Sequence, residues 1–302
     1  MNRFHRIRPG ASKLVAVTLA FVASGSAADD AIHEDWITRD VQVVERVAAA
    51  VPLRRTAVDE LLKMLQPDSR EKDQDIGFGL RRVRAALYGG YTTAWITIVG
   101  CDGRVESISV HSSHVGPAVW GRLREPLAQG WEARGGHLGD GVFDGEFHEP
   151  GIAEKCSRRR VAQLGTAVSI EPDAEVADAY RILSSPLSQL VFGTVCYESG
   201  HPPLGRTELE TILGHESPDM ALGNIVRGPN PEGRVYAAEG LLRLVQQGTT
   251  LSGETKRAIR WVYRSQTAIQ VCDGCFGSVA LPKTALSEHL PSVTLEALNR
   301  SD

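Results

Sequence analysis

"TTAWITIVGCDGRVESISV", Thr92 to Val110, is the stretch from which the fold class is read. Residues 92–99 are rich in β-branched and aromatic types, which suit a pleated, half-buried surface. Residues 104–110 alternate, with Val105, Ser107 and Ser109 on one face and Glu106, Ile108 and Val110 on the other. Between the two runs, Asp102-Gly103 accepts the positive φ angles of a tight two-residue turn. The stretch predicts an antiparallel hairpin.

Upstream the period is different. Val43, Val44, Val47 and Val51 recur at helical spacing until Pro52, and Val58, Leu61, Leu62 and Leu65 resume it until Pro67. The charged run "DSREKDQD", 68–75, reads as a solvated linker. Leu80, Val83 and Leu87 then predict a helix over 79–88, with Arg81, Arg82 and Arg84 on its other faces. Downstream of the hairpin a short helix is expected around 118–127. The glycine- and aspartate-rich "GGHLGDGVFDGEFHEPG", 135–151, reads as loops with one or two short strands.

From about Asp173 helical periodicity returns, at Val176, Tyr180 and Leu183 and again at Leu187, Leu190 and Val191. Short helices follow at 206–213 and 218–226. "NPEGRVYAAEGLLRLV", 230–245, is the most regular of the series: Asn230 is a good N-cap and Pro231 suits the first helical position. Val235, Ala238, Leu241, Leu242 and Val245 mark its apolar face, and Gly233, Ala237, Ala238 and Gly240 permit close approach by a neighbour. A last helix is expected from Ser252 to about Tyr263, and "VCDGCFGSVALPKTALSEHLP" reads as turn and irregular structure.

"SPDMALGNIVRG" followed by "PNPEGRVYAAEGLLRLV" resembles the paired helices of a HEAT-like or armadillo-like repeat, over about residues 184–265. The resemblance implies a helical layer that binds partners, and it brings no catalytic residues. No second repeat of equal length stands beside it. The fold expected is α+β: a leader over 1–28, a mixed helix and small antiparallel sheet region over 29–172, and an α-helical region over 173–302 with an irregular tail containing CxxC.

The leader reading rests on Arg3, Arg6, Arg8 and Lys13, the apolar run Leu14–Ala23, and small residues that place cleavage after Ala27 or Ala28. It implies export to a periplasmic or extracellular space, with no membrane span after cleavage. Removing the leader's four basic residues from 33 leaves 29 against 37 acidic ones, a net charge of −8. That balance disfavours phosphate backbones, so no nucleic-acid partner is expected. In an oxidising compartment Cys101, Cys156, Cys196, Cys272 and Cys275 are expected to pair, with one of the five left over. Cys101 is assigned to Cys156 as a guess that spacing does not test. Cys272 and Cys275 either clamp the turn at Asp273-Gly274 or send one member to Cys196. "KCSRRR", 155–160, is the one basic run and reads as a solvated helix start or linker.

His111 and His114, then His137, Asp140, Asp144 and His148, concentrate imidazoles and carboxylates. Imidazole suits zinc, and carboxylate suits zinc or calcium. His137, Asp140 and His148 are the candidate ligands of a divalent metal, the one cofactor entertained. No H-E-x-x-H, Walker loop or G-x-S-x-G elbow accompanies them in the mature chain. The function expected is that of an exported interaction or scaffold protein that presents a helical surface to another protein. The alternative is a metal-assisted hydrolase with its site in loops 111–148.

Overall fold

The expected hairpin is the centre of the sheet. In the computed structural model β3 (Thr93–Cys101) and β4 (Arg104–Ser112) pair antiparallel across Asp102 and Gly103, both at positive φ. The structure describes residues 33–51, 56–131, 135–149, 151–168, 174–196, 200–274 and 276–290. The expected leader and Cys275 lie outside the described residues. A register shift between Val99 and Gly100 leaves Glu106 without an opposing residue and puts Val105 opposite Gly100. One extra residue in a strand reverses the alternation beyond it. The shift therefore turns Val105, expected beside Ser107 and Ser109, to the face that carries Ile108 and Val110.

Two elements correct the sequence reading. The charged run is a strand, β1 (Ser69–Gly77), and the expected helix over 79–88 is its partner, β2 (Leu80–Tyr88). Leu80, Val83 and Leu87 fit a helical period and a strand equally until a partner is known. What selects the strand is charge across the pair: Asp73 meets Arg81 at 2.6 Å, Glu71 meets Arg84 at 2.6 Å, and Gln74 accepts from Arg82 at 2.9 Å. Gly77, Phe78 and Gly79, all at positive φ, make the turn between them. With β5 (His137–Leu138) and β6 (Phe143–His148) the sheet has six antiparallel strands in the order β1-β2-β3-β4-β6-β5.

Helices cover one face. α1 (Glu34–Ala50) buries Val43, Val44 and Val47, and α2 (Val58–Leu65) sets Val58 against Gly100, where a Cβ would lie 2.5 Å from it. α3 (Pro117–Gly130) packs against α1. Asp40 of α1, wholly buried, accepts from the amides of Gly90 (2.9 Å), Tyr91 (3.2 Å) and Thr92 (2.9 Å), which ties the helix to the β2–β3 turn. Burial pushes its carboxyl above the usual range, and those three amides oppose the shift. Beside β6, Trp131 is buried with its edges on Phe143 and Phe147 and donates to Asp144 O at 3.0 Å.

The other face meets α4 (Ala153–Leu164), and α8 (Pro231–Gln246) reaches it through Glu232 and Arg234; α5 (Ala174–Ser184), α6 (Leu204–Leu213), α7 (Pro218–Ile225) and α9 (Gly253–Arg264) belong to the same helical layer. The tail is also regular, against expectation: β7 (Ile269–Asp273) and β8 (Phe276–Ala280) form a hairpin, and α10 (Pro282–His289) follows. Asp273-Gly274 is turn chemistry, as read. The strands beside it are five residues each and gain their order from β7 docking on Phe192. From His33 onward the chain is one compact unit.

α8 begins as its sequence dictates. The side chain of Asn230 accepts from Gly233 N at 3.0 Å, with Pro231 in the first turn. The helix is enclosed by α5, α6, α7, α9 and α10 and buried on every side from Pro231 to Leu242. In a stacked repeat each unit touches only its neighbours; here one helix is ringed by the others. Its glycines are where the ring closes: a Cβ on Gly233 would sit 1.8 Å from Leu183 O, and one on Gly240 would sit 2.7 Å from Leu209.

Full burial brings α8's charges inside, each with partners. Glu232 pairs with Arg82 of β2 at 2.8 Å and accepts from Gln270 N at 3.2 Å, so a single carboxylate joins sheet, helix and β7. Glu239 holds Arg206 through two bonds of 2.7 and 2.8 Å. Arg234 donates to Gly228 O and Pro229 O at 3.1 Å and to Ile76 O at 3.0 Å, with its guanidinium 5.1 Å from the ring centre of Phe78 and 5.6 Å from that of Trp261. Burial pulls its guanidinium well below the usual arginine range.

Candidate functional site

The expected histidine cluster is spread along the exposed end of the sheet. β5 and β6 bring His137 Nδ1 to Asp144 Oδ1 at 3.1 Å, with His137 exposed and Asp144 half-buried. His111, opposite Asp144 on β4, lies against Trp95 with ring centroids 6.3 Å apart. His111, His137 and Asp144, with Ser109 and Glu146, border an open recess of ≈ 410 Å³. His148 is at the far end of β6, 4.0 Å from Glu146, and Asp140 is in the turn between β5 and β6. The three candidate ligands His137, Asp140 and His148 are therefore not gathered at one point. Among the described residues no group of three or more His, Cys, Asp or Glu side chains could hold a metal ion. The strand period explains the spread: residues four apart on β6 share a face and stand about 13 Å apart.

The cysteines are brought together. Cys101 at the end of β3 is bonded to Cys156 of α4. Asp102 in the adjoining turn accepts from Arg159 and Lys155, so three residues of the basic run 155–160 fasten this corner. Those bonds, Arg159's first, hold the Asp102 carboxyl down at about 2. Cys272 of β7 is bonded to Cys196, which fastens the loop after α5 to the hairpin. Cys272 is thus engaged outside its CxxC motif. Among the described residues no helix is long and apolar enough to cross a membrane.

A larger concavity is elsewhere. An open groove of ≈ 940 Å³ runs beside the outer edge of β1, between residues 71–75 and the segment from Trp261 to Gln270, with Val279 of β8 at its rim. Gln74 spans the base, donating to Ala268 O at 2.6 Å. Trp261 forms part of the wall, stacked on Phe78 at 4.9 Å. Glu71 and Asp73 are matched by Arg84 and Arg81, whereas Lys72 and Arg264 line the groove with no ion pair to another described residue. Desolvation lowers the Lys72 ammonium from its ordinary value, Arg82 and Arg84 add to the shift, and Glu232 opposes it. A half-buried cation in that position gains from a carboxylate brought by another molecule. A second recess of ≈ 410 Å³, bounded by Tyr263, Leu281 and Lys283, shares Arg264, Ser265 and Gln266 with the first.

No sequence signal marked this groove. Its two walls are 194 residues apart at the Gln74–Ala268 contact, and one of them reads as a linker in the sequence. Comparisons with family models, with curated proteins and with solved structures found no match to this chain.

Proposed function

We propose that this is an exported interaction protein that holds a carboxylate-bearing segment of another protein in the groove beside β1. The observation that carries the reading is the pairing state of the groove's charges: Glu71 and Asp73 are matched by arginines of β2, Asp75 accepts from Gly77 N, and the cations Lys72 and Arg264 line the groove with no ion pair to another described residue. Side chains do the binding, because the charged edge of β1 resists backbone pairing with an added strand. Export is supported by the leader pattern of residues 1–28 and by two disulfides. The helical layer then serves as the frame of the groove, since α8 itself is enclosed. The rival reading of a metal-assisted hydrolase has the His137–Asp144 pair in its favour, but among the described residues no third side chain completes a metal-holding group with it.

A photo-crosslinking residue at Gln266, used in the native envelope, tests the reading. The expected result is a crosslink to a different protein that weakens in a Lys72→Glu, Arg264→Glu background and is absent with the probe at Arg158 on α4. Equal labelling from both probe positions, or none from Gln266, would refute it. Fractionation with N-terminal sequencing checks export; a chain that retains residues 1–28 in the cytoplasm would end that part of the proposal.

A further inference from the structure

Among the described residues, the open edge of β8 is unlike that of β1. β1 reads "SREKDQDIG" and is guarded by charge, whereas β8 reads "FGSVA" and has no charge or proline. Phe276 is 81% and Val279 60% exposed, on opposite faces of the strand, with Leu281 and Val195 also exposed close by. We propose that two copies of this chain associate through β8, each β8 pairing antiparallel with the other about a two-fold axis at Ser278.

The backbone sets the first condition. Gln270 and Cys272 of β7 turn their backbone groups away from β8: Phe192 N donates to Gln270 O at 2.8 Å, and Cys272 N donates to Phe192 O at 2.9 Å. In an antiparallel ladder, two opposed residues either exchange both hydrogen bonds or both face away. The residues opposite Gln270 and Cys272 are Val279 and Gly277, so these two present N–H and C=O to the open edge of β8. An axis at Ser278 sets Gly277 of one copy against Val279 of the other, twice, and all four residues meet with their free groups inward.

Side chains then choose among registers. Axes at Gly277 or Val279 also match free groups, but each leaves part of β8 beyond the pairing. The axis at Ser278 pairs all five residues and opposes large to small: Phe276 to Ala280, and Val279 to Gly277. A Cβ at Gly277 would meet nothing within 4 Å in the single chain, so room for Val279 of the second copy exists there. The product is a continuous four-stranded sheet, β7-β8-β8-β7, with a self-complementary interface. Val279 is also at the rim of the β1 groove, whereas Ser278 does not line it, so a bridge at Ser278→Cys reads the dimer apart from the groove.

The test uses the full exported chain with its disulfides intact. Sedimentation equilibrium is expected to give twice the mass of the single chain. Val279→Lys, which places a charge on each side of the axis, is expected to raise the dimer dissociation constant at least about tenfold with an unchanged circular dichroism spectrum. In a Cys275→Ser background, Ser278→Cys brings two thiols opposite each other in a non-hydrogen-bonded pair, where Cα atoms stand about 4.5 Å apart, and is expected to form a covalent dimer on oxidation. Gly277→Cys, whose counterpart is Val279, is expected to form far less. A single-chain mass at every concentration overturns the proposal. So does a dimer that tolerates Val279→Lys and does not bridge at Ser278→Cys, or a Ser278→Cys chain that bridges only to a different protein.

Discussion

Replacing Glu232 by alanine removes a carboxylate that lies wholly out of solvent and has three elements leaning on it. Arg82 of β2, itself buried, would keep its bonds to Ser188 O (3.0 Å) and Gln74 (2.9 Å) but lose the charge that matches it at 2.8 Å. Gln270 N would lose its 3.2 Å acceptor at the start of β7. Breaking a buried pair from one side typically costs about 3–5 kcal/mol, because an uncompensated charge remains. Against a total stability of about 5–15 kcal/mol, this is roughly a fifth or more of the whole. Urea unfolding at neutral pH, with disulfides intact, reads the loss. Glu232→Gln keeps an acceptor and should lie between wild type and Glu232→Ala. Replacing Arg82 and Glu232 together by methionine removes both charges and should recover most of the loss, since apolar exchange of a whole buried pair is often near neutral. A loss below about 1 kcal/mol for Glu232→Ala, or a double variant as unstable as the single one, would show that this pair does not join sheet to helices as argued.

Gly233→Ala drives a Cβ to within 1.8 Å of a backbone oxygen and should cost at least about 2 kcal/mol in thermal or urea unfolding, whereas Gly253→Ala meets no atom within 4 Å and should be neutral or slightly stabilising. Breaking the Cys101–Cys156 bridge by a double serine substitution frees a loop of sequence separation 55 and should cost about 4 kcal/mol by chain entropy, measured beside wild type in urea. Asp102 is held at about 2 by Arg159 and Lys155, below its unfolded value of 3.8. A depressed acid contributes stability that is full above the unfolded pKa and is lost as pH falls through the folded one. Asp102→Asn should therefore flatten the stability profile between about pH 4 and 2, and acid unfolding curves of the two proteins that coincide over that window would refute the assignment.

Where one local rule decided the outcome, the sequence was enough. Asp102-Gly103 between β-rich runs specified the central hairpin, because only a turn at positive φ joins such strands so closely. Asn230-Pro231 started α8, and Ser252 started α9 by accepting from Thr255 N at 3.1 Å, because a cap bonds within three residues of itself. β1 and β2 were not legible. Their apolar residues fit two periods, and the charge pairing that chooses the strand links positions whose facing cannot be known before the pairing exists. The His/Asp loops were read as one cluster since they are close in sequence; extended strands hold them apart.

The sequence by itself determined the central hairpin, the helical start points and the small residues that would let α8 be approached closely. Tertiary structure decided what surrounds them. Glu232, Arg234 and Glu239 look like the solvated residues of an amphipathic helix, and they are buried because neighbours close round α8 and supply Arg82, Arg206 and the carbonyl of Ile76. The groove between residue 74 and residue 268, and the bare edge of β8, likewise exist only once distant segments are in place. Caps and turns are local energies written in a few adjacent residues; burial, charge pairing and open edges belong to whichever segments the folded chain brings together.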